Sequence, residues 1–302
     1  MYYYPFNQYL REQFGEKVRR ISLDAGFGCP NKDNVTGRLG CVFCNELGFT
    51  NFAGGAIPLK DQIACSIARA KTKFGTQKFI AYFQNGTNTN ARPAELKKVY
   101  DVIKGFPEIV GLYISTRPDC IDDEKLGLIA SYAPSYDVCV EYGLQSVHDK
   151  TLKFLNRGHT FEDTRRAVEK THKKGVKAAV HVMLGLPGET DKDINDTAAE
   201  IARMPIFGVK LHVLHILKDT QLEKLFLAGK IKLMERAEYV NAACNFLERI
   251  NPDCVILRLV SDAKKEYLTA PEWINDKLSV INQIEEEFKK RNTRQGYLFT
   301  TA

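Results

Sequence analysis

Cys29-Pro30-Asn31-Lys32-Asp33-Asn34-Val35-Thr36-Gly37-Arg38-Leu39-Gly40-Cys41-Val42-Phe43-Cys44 holds three cysteines and no fourth. The two residues between Cys41 and Cys44 let both thiolates point at one metal centre. Cys29 returns from eleven residues upstream across an Asn-, Asp- and Gly-containing loop. Structural zinc is closed by four protein ligands and ordinary iron–sulfur clusters by four cysteines, so three thiolates leave one position open. Three readings stand at this point: a zinc site with a distant fourth ligand, unrelated thiols, or a site completed by something other than a cysteine.

Working outward, Ile21-Ser22-Leu23-Asp24 reads as a short strand that delivers the chain to Gly26, Gly28 and Cys29. Before it, residues 1–19 form an aromatic-rich, short helical lead-in. Beyond the loop, apolar Ile63, Ile67 and Ala70 after Pro58 predict an amphipathic helix over 59–74. Strands over 78–84, 110–115, 138–144, 177–183 and 209–214 then alternate with helices over 94–104, 123–131, 164–174 and 191–203. Successive strand starts lie 32, 28, 39 and 32 residues apart, the span of a βαβ unit. The fold class is therefore α/β: a partial (β/α)6 TIM-like barrel of parallel strands with a C-terminal helical and strand extension. A doubly wound open sheet has the same local pattern. The chain divides into the lead-in (1–19), a core (20–225) and an extension (226–302). The extension carries a helix over 235–250, the apolar run Val255-Ile256-Leu257-Arg258-Leu259-Val260 and a helix over 273–291, and is placed as a cap over the barrel's open end.

The 302 residues are 44% hydrophobic and 26% charged, as in an ordinary globular protein. No apolar run reaches the roughly 18 residues of a membrane span, and the N-terminus lacks the regions of a signal peptide. The expected location is the cytoplasm, with no membrane partner. Reduced thiols there favour metal ligation for the close-set group, while Cys65, Cys120, Cys139, Cys244 and Cys254 read as small buried hydrophobes. A net charge of +6 permits an anionic partner such as nucleic acid. Lys289, Lys290, Arg291 and Arg294 beside Tyr297 suit an RNA-contacting tail. Pairing of that run with Glu285, Glu286 and Glu287 is the competing explanation.

In parallel barrels the C-terminal ends of the strands carry the chemistry. Here those ends are polar and glycine-rich: Gln84-Asn85-Gly86-Thr87-Asn88-Thr89-Asn90, Ser115-Thr116-Arg117-Pro118-Asp119, Glu141-Tyr142-Gly143-Leu144-Gln145-Ser146 and Gly185-Leu186-Pro187-Gly188-Glu189. Glycine admits close backbone approach to a ligand, although ordinary turn chemistry accounts for any one of these ends alone. Strand alternation puts Lys210 and His212 on one face of the sixth strand and His215 on the other.

The cysteine loop after the first strand, Asn85-Gly86-Thr87 after the second and Gly185-Leu186-Pro187-Gly188 after the fifth resemble the radical S-adenosylmethionine (radical SAM) superfamily. Within it, Ser115-Thr116-Arg117-Pro118-Asp119, Glu141-Tyr142-Gly143-Leu144-Gln145-Ser146, Asn156-Arg157-Gly158-His159-Thr160 and the stretch 210–220 resemble the catalytic subunit of Elongator. The nearest likeness is to a bacterial family of stand-alone Elongator-like proteins linked to tRNA wobble-uridine modification. That family shares the eleven-residue first gap, where the commonest superfamily pattern has three residues. No acetyltransferase domain is expected after Ala302.

The resemblance implies that Cys29, Cys41 and Cys44 bind three irons of a [4Fe-4S] cluster, with S-adenosylmethionine chelating the fourth. Reductive cleavage of that cosubstrate would yield a 5′-deoxyadenosyl radical, with a flavodoxin or ferredoxin as electron donor. Carried over position by position, Asn85, Gly86 and Thr87 meet the methionine amino group, and Gln145 and Arg157 the ribose and carboxylate end. Ser115, where some relatives have glutamate, and His181 complete the cofactor-binding set. For Arg157, a surface helix cap is the alternative. Lys210 and His212 become candidates on the substrate side, and tRNA becomes the expected substrate, modified on the C5 side chain (carboxymethylaminomethyl-type) of its wobble uridine. Two alternatives remain: radical chemistry on a small molecule or protein, and a zinc-stabilised nucleic-acid-binding protein without radical chemistry.

Overall fold

A computed structural model describes residues 1–33, 38–45 and 57–300. The main sheet holds β1 (Val18–Leu23), β2 (Lys78–Phe83), β3 (Ile109–Thr116), β4 (Asp137–Gln145), β5 (Lys177–Leu184), β6 (Gly208–Val213) and β7 (Val255–Arg258). Their order across the sheet is their order along the chain, and every neighbouring pair is parallel. A doubly wound sheet reverses its direction midway. Here each crossover steps the same way, so the sheet curls into the expected open half-barrel.

β7 departs from the expectation. The apolar run of the extension does not cap the barrel; its first residues pair with β6 and add a seventh strand. The edge of a six-stranded sheet leaves a row of unpaired backbone groups, and the β-branched Val255 and Ile256 satisfy it.

The helices are α1 (Phe6–Phe14), α2 (Leu59–Phe74), α3 (Pro93–Tyr100), α4 (Asp123–Ala130), α5 (Asp149–Phe154), α6 (Phe161–Lys173), α7 (Asp191–Ala202), α8 (Gln221–Leu227), α9 (Arg236–Arg249) and α10 (Lys277–Arg291). Sequence periodicity misses the short α5 and α8. Local chemistry sets several of the boundaries. Thr160 with Asp163, and Thr190 with Asp193, form reciprocal capping boxes at the starts of α6 and α7. Among the described residues no helix is long and apolar enough to cross a membrane.

The sheet is buried on both faces. Its outer face, including Ile114, Val140, Val180 and Leu211, packs against the surrounding helices in the main core. At the N-terminal ends of the strands the inner face is plugged by α1. There Phe6, Tyr9 and Leu10 pack on Val18, Tyr113, Cys139 and Leu257. The Tyr9 hydroxyl donates to Asp137 at 3.0 Å, and Tyr113 donates to the same carboxylate at 2.9 Å. With that end filled, the described residues leave a cavity at the C-terminal end of the inner face.

Candidate active site

The open end is a cavity, and the sequence candidates meet there. Cys29, Cys41, Cys44, Asn85, Gly86, Thr87, Ser115, Gln145, Arg157, His181, Lys210 and His212 all line it. His215 lines it too, contrary to the alternation expected from sequence. β6 ends at Val213, so the two-residue period stops before it reaches His215.

The cysteines form the rim. Cys29 and Cys41 each open a tight turn, with Lys32 N–H donating to Cys29 O at 2.9 Å and Cys44 N–H to Cys41 O at 3.0 Å. Between the second pair, Val42 is tied at both backbone groups: its N–H donates to Leu155 O and its carbonyl accepts from Leu222 N–H. Its side chain packs in a small apolar cluster with Met183, Leu186, Leu214 and Ile216. The Cys41–Cys44 turn is thereby held over the ends of β5 and β6. Loop residues 34–37 lie outside the described chain.

Gly86 brings the loop after β2 against the Cys29 segment. Its φ is +71°, and a β-carbon there would stand 2.1 Å from the carbonyl oxygen of Phe27. No other residue type fits without moving backbone. Thr87 N–H reaches Gly28 O at 3.4 Å, while Asn85 Nδ2 donates to Asp24 at 2.9 Å.

Arg157 is buried and is not the surface cap that its sequence context allowed. Its guanidinium donates to Cys41 Sγ at 3.1 Å and to Gly143 O at 2.6 Å. Gly143 leaves the room: a β-carbon there would lie 2.8 Å from an Arg157 nitrogen. Asn31 Nδ2 approaches the same sulfur at 3.4 Å. Nε of Arg157 has no protein partner. Gln145 sits at the end of β4 in the left-handed region, φ +76°, which is uncommon for a residue with a side chain.

Below the rim the inner face becomes a charged floor. Glu141 is fully buried and accepts from His181 Nε2 (2.7 Å), Tyr82 OH (2.9 Å), Lys210 Nζ (3.0 Å) and Arg20 (3.3 Å). Lys210 also donates to Tyr82 OH at 2.7 Å. Burial opposes the charge on Glu141, yet Lys210, the His181 hydrogen bond and Arg20 outweigh it and hold its pKa well below the usual value. Burial pulls Lys210 down to about 7, with Arg20 and Arg258 adding to the fall against the pull of Glu141. Burial, reinforced by Lys210, lowers His181 to about 4. Arg258 stands against both ring nitrogens of His212 (2.5 and 2.8 Å), and burial with that cation holds His212 well below its ordinary value. Both rings are therefore neutral at pH 7.

Sequence reasoning passed over Arg20, Tyr82, Glu141 and Arg258. A signal was present: Asp137, Cys139, Glu141, Gly143 and Gln145 share one face of β4, so the polar residues interrupting its apolar run fall at even spacing. Of the five scattered cysteines, Cys139, Cys244 and Cys254 are buried as expected, whereas Cys120 is half-buried and Cys65 exposed. In the C-terminal basic run, Arg291 is tied to Glu287 at 2.8 Å and Glu248 at 3.4 Å.

The rim fits an iron–sulfur cluster better than zinc. Among the described residues no three His, Cys, Asp or Glu side chains converge closely enough to hold a single ion, whereas structural zinc takes four. A cluster engages each thiolate at a different iron, which suits cysteines spread round a rim. The Gly86 cradle and the donors on Cys41 Sγ supply the close backbone and charge compensation such a group uses.

Comparison with known proteins points the same way. Residues 27–201 match the Radical SAM superfamily, and residues 206–290 the Radical_SAM C-terminal domain. An uncharacterized protein of Methanocaldococcus jannaschii is 39% identical, over 96% of this chain and 90% of that protein. A tRNA uridine(34) acetyltransferase of Methanocaldococcus infernus is 28% identical over 48% of this chain, which spans only 27% of that protein. Among solved structures, the archaeal Elp3 of Methanocaldococcus infernus shares the fold, with a TM-score of 0.66 at 18% identity, covering 92% of this chain and 64% of that one.

Proposed function

The chain belongs to the radical SAM superfamily, and from that premise we propose that it modifies the C5 side chain, of carboxymethylaminomethyl type, of the wobble uridine of tRNA. It is a radical SAM enzyme, and the cofactors of that superfamily are a [4Fe-4S] cluster and S-adenosylmethionine. Bound together, they supply one-electron cleavage of the sulfonium to methionine and a 5′-deoxyadenosyl radical that can take a hydrogen atom.

In this reading Cys29, Cys41 and Cys44 hold the cluster, and Arg157 steadies the Cys41 thiolate that it touches. The Asn85-Gly86-Thr87 loop, fixed by Asp24 and the Phe27–Gly28 backbone, presents its polar groups to the methionine end of the cosubstrate. Ser115 and Gln145, at the ends of β3 and β4, orient the nucleoside end. His181, bound through Nε2 to Glu141, would lie between cofactor and floor. Lys210 and His212 face the substrate. The plug of α1 and the closed inner face below the floor exclude water from beneath. A flavodoxin or ferredoxin supplies the electron.

The observation that carries the substrate assignment is the likeness to tRNA uridine(34) acetyltransferase across nearly half of the chain. Anaerobic reconstitution should give the broad absorbance of an iron–sulfur cluster and 5′-deoxyadenosine on reduction with S-adenosylmethionine. Nucleosides from tRNA of cells with and without the gene, compared by mass spectrometry, should differ at the wobble uridine. Unchanged wobble uridines together with intact cosubstrate cleavage would move the substrate to a small molecule or a protein.

A further inference from the structure

The two ends of the cavity differ in what their charges are already engaged with. At the rim, Arg157 is committed to Cys41 and Gly143, and Arg117 is paired bidentately with Asp119 at 2.9 and 2.8 Å. At the floor, Lys210 and Arg20 share the buried Glu141, while Arg258 stands against His212 and reaches the half-exposed Asp262 at 3.7 Å, a carboxylate that Lys277 also holds at 2.5 Å. Two cations thus share one fully buried carboxylate, with a third, Arg258, close by. Among the described residues lining the cavity there is no Asp or Glu.

Lys210 is the member of this group that reaches the open space. Its ammonium has three donors. Two are used, on Tyr82 OH and Glu141 Oε2. Beside it His212 lies 5.5 Å, centroid to centroid, from His181. These two neutral imidazoles leave Lys210 as the group at the surface of the floor that can carry a positive charge, and an anion beside it would favour its ammonium form. A buried cation surplus with an unused donor is unfavourable until an anion completes it. One unused donor flanked by neutral rings suits a single monoanionic carboxylate; a dianionic phosphate needs several donors.

We propose that Lys210, flanked by His212, is the anchor of a carboxylate-binding subsite that selects substrates carrying an acidic group. The proposal rests on this cavity being the substrate site of the enzyme and narrows the substrate class. An acid at the end of a short side chain would reach the floor and leave the atoms nearer its base beside the rim, where hydrogen is abstracted.

The test uses the full chain, purified anaerobically, and two matched pairs of probes: 5-carboxymethyluridine with 5-carbamoylmethyluridine, and 3-phenylpropionate with 3-phenylpropionamide. In each pair the acid and its amide have the same shape and differ in charge. By calorimetry the acids should bind about ten-fold or more tighter than the amides, the scale of one charge-assisted hydrogen bond. Lys210→Gln, which keeps a polar group for Tyr82 and Glu141, should abolish that preference. In the unaltered protein, which keeps the test independent of whether the variant folds, the acids should slow reductive methylation of Lys210 several-fold in peptide mass maps. The amides should not.

Equal binding of acid and amide, or a preference that survives Lys210→Gln, would overturn the subsite. So would protection of Lys210 by S-adenosylmethionine alone, since the floor would then belong to the cosubstrate. Discrimination in the phenylpropionate pair, with neither uridine bound, would uphold the subsite and remove the wobble-uridine reading.

Discussion

In four strands of the half-barrel, adjacent residues have opposite surroundings. Ile114, Val140, Val180 and Leu211 point outward into an apolar core, while one position away in each strand Ser115, His181 and Lys210 line the cavity and Glu141 lies buried beneath it, bonded to His181 and Lys210. The outer set is held by packing, in which any apolar group of similar volume serves. The inner set is held by specific hydrogen bonds among buried charges, in which no member can change alone. A slip of one residue in register would exchange the two faces, so the apolar face fixes where the charged one stands.

The strongest way to break this comparison is at the rim. Cys41→Ala should reduce iron content after reconstitution and take 5′-deoxyadenosine formation to background, with the unfolding midpoint little changed. On the outer face Ile114→Ala should do the reverse, costing about 2–5 kcal/mol in denaturant unfolding while cosubstrate cleavage persists below the midpoint. If the cysteine variant unfolds and the isoleucine variant loses cleavage while folded, the two faces are not separable.

Glu141→Ala tests the inner network by the opposite route. It removes the carboxylate shared by Lys210, Arg20, His181 and Tyr82. Breaking a buried pair on one side costs about 3–5 kcal/mol. Glu141→Leu combined with Lys210→Met should recover part of that loss, because an apolar replacement of both partners strands less charge. A double variant no more stable than Glu141→Ala would show that the network is not coupled.

The two faces were not equally legible in the sequence. Apolar periodicity and the thirty-residue spacing disclosed six parallel strands, because packing against helices writes itself directly into residue type, but left their order across the sheet open between a half-barrel and a doubly wound sheet. The cysteine turn and the Gly86 loop were legible for a similar reason, since few chemistries need those residues at those positions. Glu141 was quoted among the strand ends without a role. Its partners Arg20, Tyr82 and Lys210 lie 121, 59 and 69 residues away, and a single sequence carries no mark of such long-range pairing. β7 was hidden differently, as an apolar run whose pairing depends on an edge that exists only after the barrel has formed.

Gly86→Ala probes how tightly the rim depends on backbone approach. The left-handed φ costs roughly 1–3 kcal/mol for a residue with a side chain, and the new methyl would collide with the Phe27 carbonyl. The Cys29 segment should shift away. Thermal stability should fall modestly and iron content more than stability does. A fall in both to the same degree would mean that the loop is merely a fold element.

The smallest expected effect separates the faces by slope. Burial lowers His159 and His181 to about 4 and holds His212 and His215 below their ordinary values. The unfolded chain takes up protons near pH 6.5 that these folded sites refuse. Stability is therefore fully present above pH 6.5 and declines as pH falls from 6.5 toward 4, by up to about 1.4 kcal/mol per pH unit for each such histidine. Removing one of them by His181→Gln should flatten the decline between pH 6.5 and 5 by about that increment in denaturant unfolding measured across the range. Ile114→Ala should lower the whole curve without altering its slope, because a methylene has no proton to bind. An unchanged slope in His181→Gln would mean that this ring already carries its proton in the folded protein, and Glu141 would then be answering Lys210, Arg20 and an imidazolium.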